Sequence, residues 1–377
     1  MDLAQLGGAV ERETRARGRD LALLALAWAV AMAGCYLVLG VRLGGDSGRY
    51  LEGAKALLAG QALAGKQLHF LGYQALVALG LRAGGGPAGV VAIQCLLSLL
   101  AAWCLWRAGT RIFSPLAGWL AALLYLAYPD VQAWNFYVLT DGPFASLLAI
   151  SLSLGLLAGR GEIWCWLALV PALAGLALLR PEGVLFFLPL AIYLAARDRW
   201  GAALLIFLAG AALFVGLGGR DAAAQEDLLG HWQRGTVIWG AAMDWPSPRL
   251  AAGAAGGLAA FLWQALTRDP LWLLDLLARR WFWFLAHLRP YYSLAHNLLA
   301  GAASLLWLVL GLGAVLRAGR GREKALLWLT VLAQMALVGL TWADHDGRFL
   351  TRVTPALILL AAAGLAPGRP RGEYLSG

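Results

Sequence analysis

The chain has 377 residues, of which 61% are hydrophobic and only 14% charged, and its formal net charge is +9. Soluble domains carry about 25% charged residues, so the composition excludes a set of soluble domains and predicts a polytopic membrane protein. The arginines and lysines lie between apolar segments, where such residues set membrane topology. We therefore expect no nucleic-acid partner. The four cysteines fall within apolar segments without metal-ligand spacing, which predicts neither disulfides nor a zinc site.

Apolar segments alternate with short polar loops along the whole chain. A basic segment, residues 1–20, precedes the first of them, and another, residues 367–377, follows the last. Lysines and arginines cluster in alternate loops while most acids lie in the others, so both tails are predicted to be cytoplasmic. The ten predicted spans are residues 21–41, 88–106, 115–128, 143–158, 163–179, 184–196, 202–217, 298–316, 325–341 and 349–365.

The sequence predicts a single, all-α integral membrane domain over residues 1–377. Its first outer loop, 44–86, holds two helix-like stretches at 50–59 and 68–81. Both are too short to span a bilayer, so we expect juxtamembrane helices along the interface. The longest connection, 219–296, contains apolar pieces that are expected to lie in the interface or dip into it.

Polar side chains gather in the outer loops, whereas the spans are almost free of charge. A transporter more often places ionisable groups within its spans, and the unequal outer loops give no convincing inverted repeat. The pattern therefore favours a reaction or binding site at the outer face. A transporter or flippase of a lipid-linked glycan is the alternative, and a non-catalytic scaffold is a third possibility.

The stretch from Gly44 to Tyr50 places the carboxylate of Asp46 directly after the first span. Arg49 and Tyr50 follow three and four residues later, which is one face of a helix that begins near the acid. The alternative to a functional role is that Asp46 or Ser47 is the N-cap of that helix. The stretch thus predicts a short interfacial helix whose first turn carries an acid.

Residues 46–50 and the helix-like run behind them resemble the first-loop motif of GT-C membrane glycosyltransferases, in which an acid precedes a tyrosine by four residues. Three further stretches resemble GT-C motifs in the same order. Residues 139–141 resemble the second outer acid, 180–183 the basic Pro-x-Gly turn, and 347–350 the opening of a late span. The resemblance extends to the protein mannosyltransferase and aminoarabinose transferase branch.

The resemblance implies an inverting transfer of a sugar from a polyprenyl-phosphate donor to a lipid, glycan or protein acceptor. It implies a reaction on the periplasmic side of a bacterial-type inner membrane, with Asp46 as general base. Asp141 would orient hydroxyl groups, or else cap span four. The implied phosphate-binding residues are Lys66, His69, Arg348, Arg180 and Arg289, and the implied substrate-binding residues are Tyr50, Trp134, Tyr137, Tyr291 and Tyr292.

Two of these residues have a simpler interpretation, because Arg180 and Arg348 lie at span ends, where long basic side chains reach for the interface. Ser47 stands where a second acid is common in the family. A metal site built on paired acids is therefore not favoured, and no cofactor is expected.

Overall fold

The computed structural model of the chain describes residues 3–217, 222–240, 243–246, 257–317 and 320–366. The predicted tail at 367–377 and parts of the predicted connection at 219–296 lie outside these residues. The α-helices are α1 (Leu3–Leu39), α2 (Ser47–Leu58), α3 (Leu71–Gly80), α4 (Gly86–Ile112), α5 (Pro115–Ala127), α6 (Pro129–Gln132), α7 (Asp141–Gly159), α8 (Ile163–Leu179), α9 (Phe187–Ala196), α10 (Trp200–Leu217), α11 (Ala222–Arg234), α12 (Gly257–Arg268), α13 (Pro270–Ala286), α14 (Leu294–Leu316), α15 (Gly321–Leu340) and α16 (Arg348–Leu365).

Each of the ten predicted spans coincides with a helix, which confirms an all-α polytopic membrane protein. Six helical stretches among the described residues are long and apolar enough to cross a bilayer, and the other four predicted spans are shorter apolar helices. The two predicted juxtamembrane helices are α2 and α3, joined through a 3₁₀ turn at Gly65–Phe70. A second 3₁₀ turn, Pro181–Phe186, leads into α9.

Two features differ from the sequence-based expectation. Most of the predicted N-terminal tail is helical, because α1 already begins at Leu3. Its alanines, leucines, glutamates and arginines are good helix formers and no proline interrupts them. A two-stranded antiparallel sheet, β1 (Thr236–Ile238) and β2 (Met243–Asp244), lies in the long connection, where strands of two or three residues give little periodic signal.

The centre of the bundle is formed by α7 and α16, which pack on each other. Nearly every residue of α7 is buried, as is the whole of α16 from Leu350 to Ala362. A helix that is apolar all round belongs in the interior of a membrane bundle. By contrast, α1, α10 and α14 expose many large apolar side chains, as expected of helices that face lipid. Polar side chains on α7 and α16 are therefore buried in the core of the bundle.

We use the name polar end for the end of the bundle where loops 40–46, 128–140, 180–183 and 341–347 meet. Short backbone pairings join two of these loops to each other and a third loop to β1. Arg42 and Tyr137 form an isolated parallel bridge between loops 40–46 and 128–140, and Ile238 of β1 pairs in the same way with Ala343 in loop 341–347. Segments that are far apart in sequence are thus held together at one end of the molecule.

Candidate active site

The carboxylate of Asp141 lies at the centre of the polar end. Asp141 is the first residue of α7 and is only 1% exposed. Three guanidinium groups surround it: Arg352 Nη2 lies 2.7 Å and Arg180 Nη1 3.6 Å from Oδ1, and Arg348 Nη1 lies 3.5 Å from Oδ2. A buried carboxylate is costly unless it is paired, and the positive end of the α7 dipole adds to the compensation.

A second carboxylate, Glu182, belongs to the same network. Its Oε1 accepts from Arg180 Nε at 2.5 Å and from Arg352 Nη1 at 3.1 Å. Arg180 Nη1 also donates to Thr140 Oγ1 at 3.1 Å. Burial alone would lower the pKa of Arg180, but the Glu182 and Asp141 carboxylates outweigh it and raise the pKa. Arg180 therefore stays charged inside this cluster.

Gly183 allows the 180–183 turn to fold back onto its own helix. A Cβ at Gly183 would collide with the backbone carbonyl of Leu176 in α8. A glycine is needed where the backbone approaches another backbone this closely. The turn is thereby drawn against α8, and the side chains of Arg180 and Glu182 reach α7 and α16.

The start of α16 fixes Arg348. The carboxylate of Asp344 accepts from the backbone N–H of Arg348 at 2.6 Å and of Phe349 at 3.0 Å, which caps the helix. Gly347 precedes the helix with a φ of 70°, and a Cβ there would collide with the ring of His287. The Arg348 guanidinium lies 5.8 Å from the Trp134 ring centroid. The side chain is 18% exposed, so one part of it faces open space.

Two polar atoms at the centre of the cluster have no hydrogen-bond partner among the described residues. One is Oδ2 of Asp141 and the other is Nε of Arg348, and both atoms are buried. Buried polar atoms are nearly always paired, and an exception calls for an explanation. Each atom has an ion-pair contact instead: Oδ2 of Asp141 lies 3.5 Å from Arg348 Nη1, and Nε of Arg348 lies 3.7 Å from Asp346 Oδ2. Both atoms keep the capacity to hydrogen-bond with a polar ligand.

The first outer loop brings Asp46 and Tyr50 to this cluster. Asp46 is 41% exposed, and its Oδ1 lies 2.5 Å from Nη2 of Arg49. Tyr50 is 1% exposed. Burial raises the pKa of the Tyr50 phenol, the Arg180 charge lowers it, and the Asp46 and Asp141 charges raise it further. Tyr50 therefore lies between the exposed acid of the first loop and the buried cluster.

The N-cap interpretation does not describe Asp46 or Ser47 in this structure. Asp46 occupies the N-cap position of α2, but its carboxylate makes no capping hydrogen bond. Ser47 is fully buried, and its hydroxyl accepts from the Gly44 N–H and donates to the Val138 carbonyl, both at 2.8 Å. Ser47 thus holds the first loop against the second. Asp141 likewise is no cap, since Arg352 takes its Oδ1.

The remaining sequence-predicted site residues fall into two groups. Lys66 and His69 lie on the 3₁₀ turn before α3, beside Phe70, whose ring lies 5.9 Å from the Arg180 guanidinium carbon. Tyr137 packs at 5.1 Å against Trp134. Trp134 and Tyr137 thus lie beside Arg348, whereas Lys66 and His69 are connected to the cluster through the turn that they share with Phe70.

Arg289, Tyr291 and Tyr292 are connected to the cluster only through the last loop. Arg289 is 1% exposed, and its guanidinium donates to the carbonyls of Asp344, His345, Trp283 and Leu288. Tyr291 stacks on His345 and Tyr292 on His296, with centroid separations of 4.3 and 4.1 Å. Arg289 therefore holds the last loop in place in this structure, and the two tyrosines lie at the rim.

Arg352 and Glu182 were not singled out from the sequence as site residues. Arg352 is 1% exposed and lies one helical turn after Arg348, within the predicted span 349–365. The signal was available, because an ionisable residue inside a membrane span indicates function by default. Among the described residues, no group of three His, Cys, Asp or Glu side chains could hold a metal ion.

One part of the chain resembles a known protein family. Residues 69–217 match the model of the dolichyl-phosphate-mannose-protein mannosyltransferase family. The matched stretch contains Asp141 and the 180–183 turn, whereas Asp46 and Arg348 lie outside it. A search of curated protein sequences gives no significant match. The resemblance therefore rests on the family model and on the fold.

Solved structures then give the fold. The crystal structure of ArnT from Cupriavidus metallidurans bound to undecaprenyl phosphate has a TM-score of 0.55 and 18% identity, covering 91% of this chain and 60% of that chain. The apo structure of the same protein gives 0.54 and 18%, covering 91% and 59%. The chain thus spans about 60% of the length of these structures. The predicted GT-C fold is confirmed by this likeness.

Proposed function

We propose that the protein transfers a sugar from a polyprenyl-phosphate donor to an acceptor at the extracytoplasmic face of the membrane, with inversion. One observation carries the proposal. Tyr50 is close enough to interact electrostatically with Asp46, Arg180 and Asp141 alike, and it thus connects the exposed acid of the first loop to the buried cluster in which Arg180 and Arg348 surround Asp141. This juxtaposes a base with cations for a leaving phosphate. The ArnT structure bound to undecaprenyl phosphate supports the donor class.

In this mechanism Asp46 is the general base. The acceptor hydroxyl attacks the anomeric carbon while the bond from that carbon to the phosphate oxygen breaks. Asp46 takes the hydroxyl proton, which requires hydrogen-bond contact with the acceptor. The single displacement inverts the anomeric configuration. Asp46 suits this role because its carboxylate is 41% exposed, whereas the carboxylate of Asp141 is 1% exposed and committed to arginines.

The cluster binds the donor. As the sugar leaves, the phosphodiester becomes a monoester and gains negative charge, which nearby cations stabilise. Arg180 and Arg348 hold fixed positions for this, and arginine binds phosphate through two parallel hydrogen bonds. Lys66 and His69 on the neighbouring turn extend the same positive surface. Oδ2 of Asp141, which has no hydrogen-bond partner among the described residues, accepts from a hydroxyl group of the sugar.

The proposal includes catalysis without a metal ion. In the family, a second acid often stands beside the first, and paired acids are oxygen ligands for divalent metals. Here Ser47 takes that position, and its hydroxyl is used to join the first loop to Val138. Treatment with EDTA is therefore expected to leave the rate of transfer unchanged.

The test is a turnover assay on purified protein in lipid nanodiscs. We would incubate it with a panel of radiolabelled polyprenyl-phosphate sugars and membrane extract as acceptor, and measure which donor loses its sugar. One donor is expected to be consumed by the native chain. Asp46→Asn is expected to reduce the rate by about 10²–10⁴-fold, the usual contribution of a general base.

Glu52→Gln is the matched control, because Glu52 is an exposed acid on the same helix as Tyr50 and is outside the cluster. It is expected to retain the native rate. Full activity of Asp46→Asn would remove Asp46 from the mechanism. Movement of an intact lipid-linked sugar across the membrane, with no bond cleaved, would support the transporter alternative instead.

A further inference from the structure

Arg49 is a charged residue beside the site that the mechanism above does not use. Its Nη2 lies 2.5 Å from Oδ1 of Asp46, three residues earlier on the first turn of α2. Both side chains are about 40% exposed. Exposed pairs of this kind are weak, contributing about 0.2–1 kcal/mol. The pair therefore exchanges readily if a stronger anion approaches Arg49.

The contact involves the acid that the mechanism needs. Oδ1 of Asp46 accepts from Arg49 at 2.5 Å, so the guanidinium lies where an acceptor hydroxyl would approach that oxygen. A general base must come within hydrogen-bond reach of the proton that it removes. In this structure, the first loop therefore holds its acid in an engaged state.

Arg49 is also within reach of the donor site. Its guanidinium carbon lies 5.7 Å from the centroid of the Phe70 ring, and the guanidinium carbon of Arg180 lies 5.9 Å from the same centroid. Both cations thus contact one aromatic ring. Arginine has a long flexible chain and a planar fork that fits phosphate oxygens. Rotation of the Arg49 side chain therefore brings its guanidinium either to Asp46 or to a bound phosphate.

We propose that Arg49 is a donor-phosphate ligand that exchanges partners: it holds Asp46 in the resting protein and moves to the phosphate when the donor binds. This frees Oδ1 of Asp46 for the acceptor hydroxyl when the donor binds. The inference rests on the proposed function and adds to it a reason for the donor to bind first. The donor is a phosphodiester whose single charge is shared by two oxygens that fit the fork of Arg49, and the charge grows as the sugar leaves, which favours Arg49 at the phosphate.

The exchange makes an unusual prediction for binding. If Asp46 competes for Arg49, its removal tightens phosphate binding while it abolishes transfer. We would measure equilibrium binding of tritiated undecaprenyl phosphate, the monoester form of the carrier that remains after transfer, to full-length protein in nanodiscs. Asp46→Asn is expected to bind about three- to fivefold more tightly than the native chain, the usual worth of an exposed ion pair.

A double-mutant cycle separates the exchange from simple charge repulsion. Arg49→Gln is expected to weaken binding, and in that background Asp46→Asn is expected to give little or no tightening. Lys55→Gln is the matched control, because Lys55 is an exposed cation on the same helix. It is expected to bind as the native chain does.

The outcomes are distinguishable. Equal tightening by Asp46→Asn with and without Arg49, or none in the native background, overturns the exchange and leaves the proposed function standing. No binding of undecaprenyl phosphate to the native chain overturns both. Tightening that requires Arg49 supports the exchange.

Discussion

Two of the ion-paired acids at the polar end, Asp141 and Asp46, differ in burial. Asp141 and its partner Arg352 are each 1% exposed, and their contact links α7 to α16 across 211 residues of sequence. Asp46 and its partner Arg49 are 41% and 40% exposed, three residues apart in one helical turn. The same chemical pair is a fixed structural element in one place and a replaceable contact in the other.

The difference follows from solvent. A buried pair cannot separate without leaving an unpaired charge in a medium of low polarity, so its geometry is held firmly. An exposed pair can exchange either partner for water, salt or a ligand at little cost. In the proposed mechanism, the site thus combines a rigid part, which positions cations for the donor, with an adaptable part, which carries the base.

The largest effect is expected from breaking the buried pair. Arg352→Met removes the closest partner of Asp141 and a partner of Glu182, and leaves part of the buried negative charge uncompensated. Breaking a buried pair in this way costs about 3–5 kcal/mol. Thermal unfolding in detergent, followed by size-exclusion chromatography of heated samples, should show a large fall in the midpoint.

Arg352→Lys is the control for this prediction. It keeps the charge but loses the fork that bonds both acids, so an intermediate fall is expected. A midpoint for Arg352→Met equal to the native one would show that the three arginines are interchangeable around Asp141. The buried pair would then resemble the exposed pair in its adaptability.

The sequence predicted the helices and the acids better than their contacts. Ten apolar runs that alternate with basic and acidic loops define the spans. Asp46 could be named from its position after the first span, and Asp141, Arg180 and Arg348 from the GT-C resemblance. Arg352 was overlooked because span 349–365 was read as uncharged. No sequence rule predicts that Glu182 approaches it, because the contact joins residues 170 positions apart and depends on how α8, α9 and α16 pack.

A histidine behind Arg348 adds pH dependence to the rigid part. His287 is buried against Gly347, and its Nδ1 lies 3.6 Å from Asp130 Oδ2. Burial lowers the pKa of the imidazole below 6.5, although the Asp130 carboxylate opposes the shift and Arg289 adds to it. The folded state therefore binds fewer protons than the unfolded state, so stability is lost as the pH falls below about 6.5.

His287→Gln is expected to flatten this acid dependence. Melting midpoints measured between pH 7.5 and 5 should decline less in the variant than in the native protein. His69→Gln, which removes an imidazole from the first outer loop, is expected to keep the native slope. An unchanged slope in His287→Gln would assign the acid sensitivity to other groups.

The smallest effect on stability is expected from breaking the exposed pair. Arg49→Gln removes the partner of Asp46 but leaves that carboxylate in contact with water, so the free energy of unfolding should fall by at most about 1 kcal/mol. The melting midpoint in the same assay should lie close to the native one, far above that of Arg352→Met. A fall as large as that of Arg352→Met would mean that the first loop depends on the pair for its structure. In that case Asp46 could not be released by exchange at Arg49 without unfolding α2, and the distinction between a rigid and an adaptable part of the site would be lost.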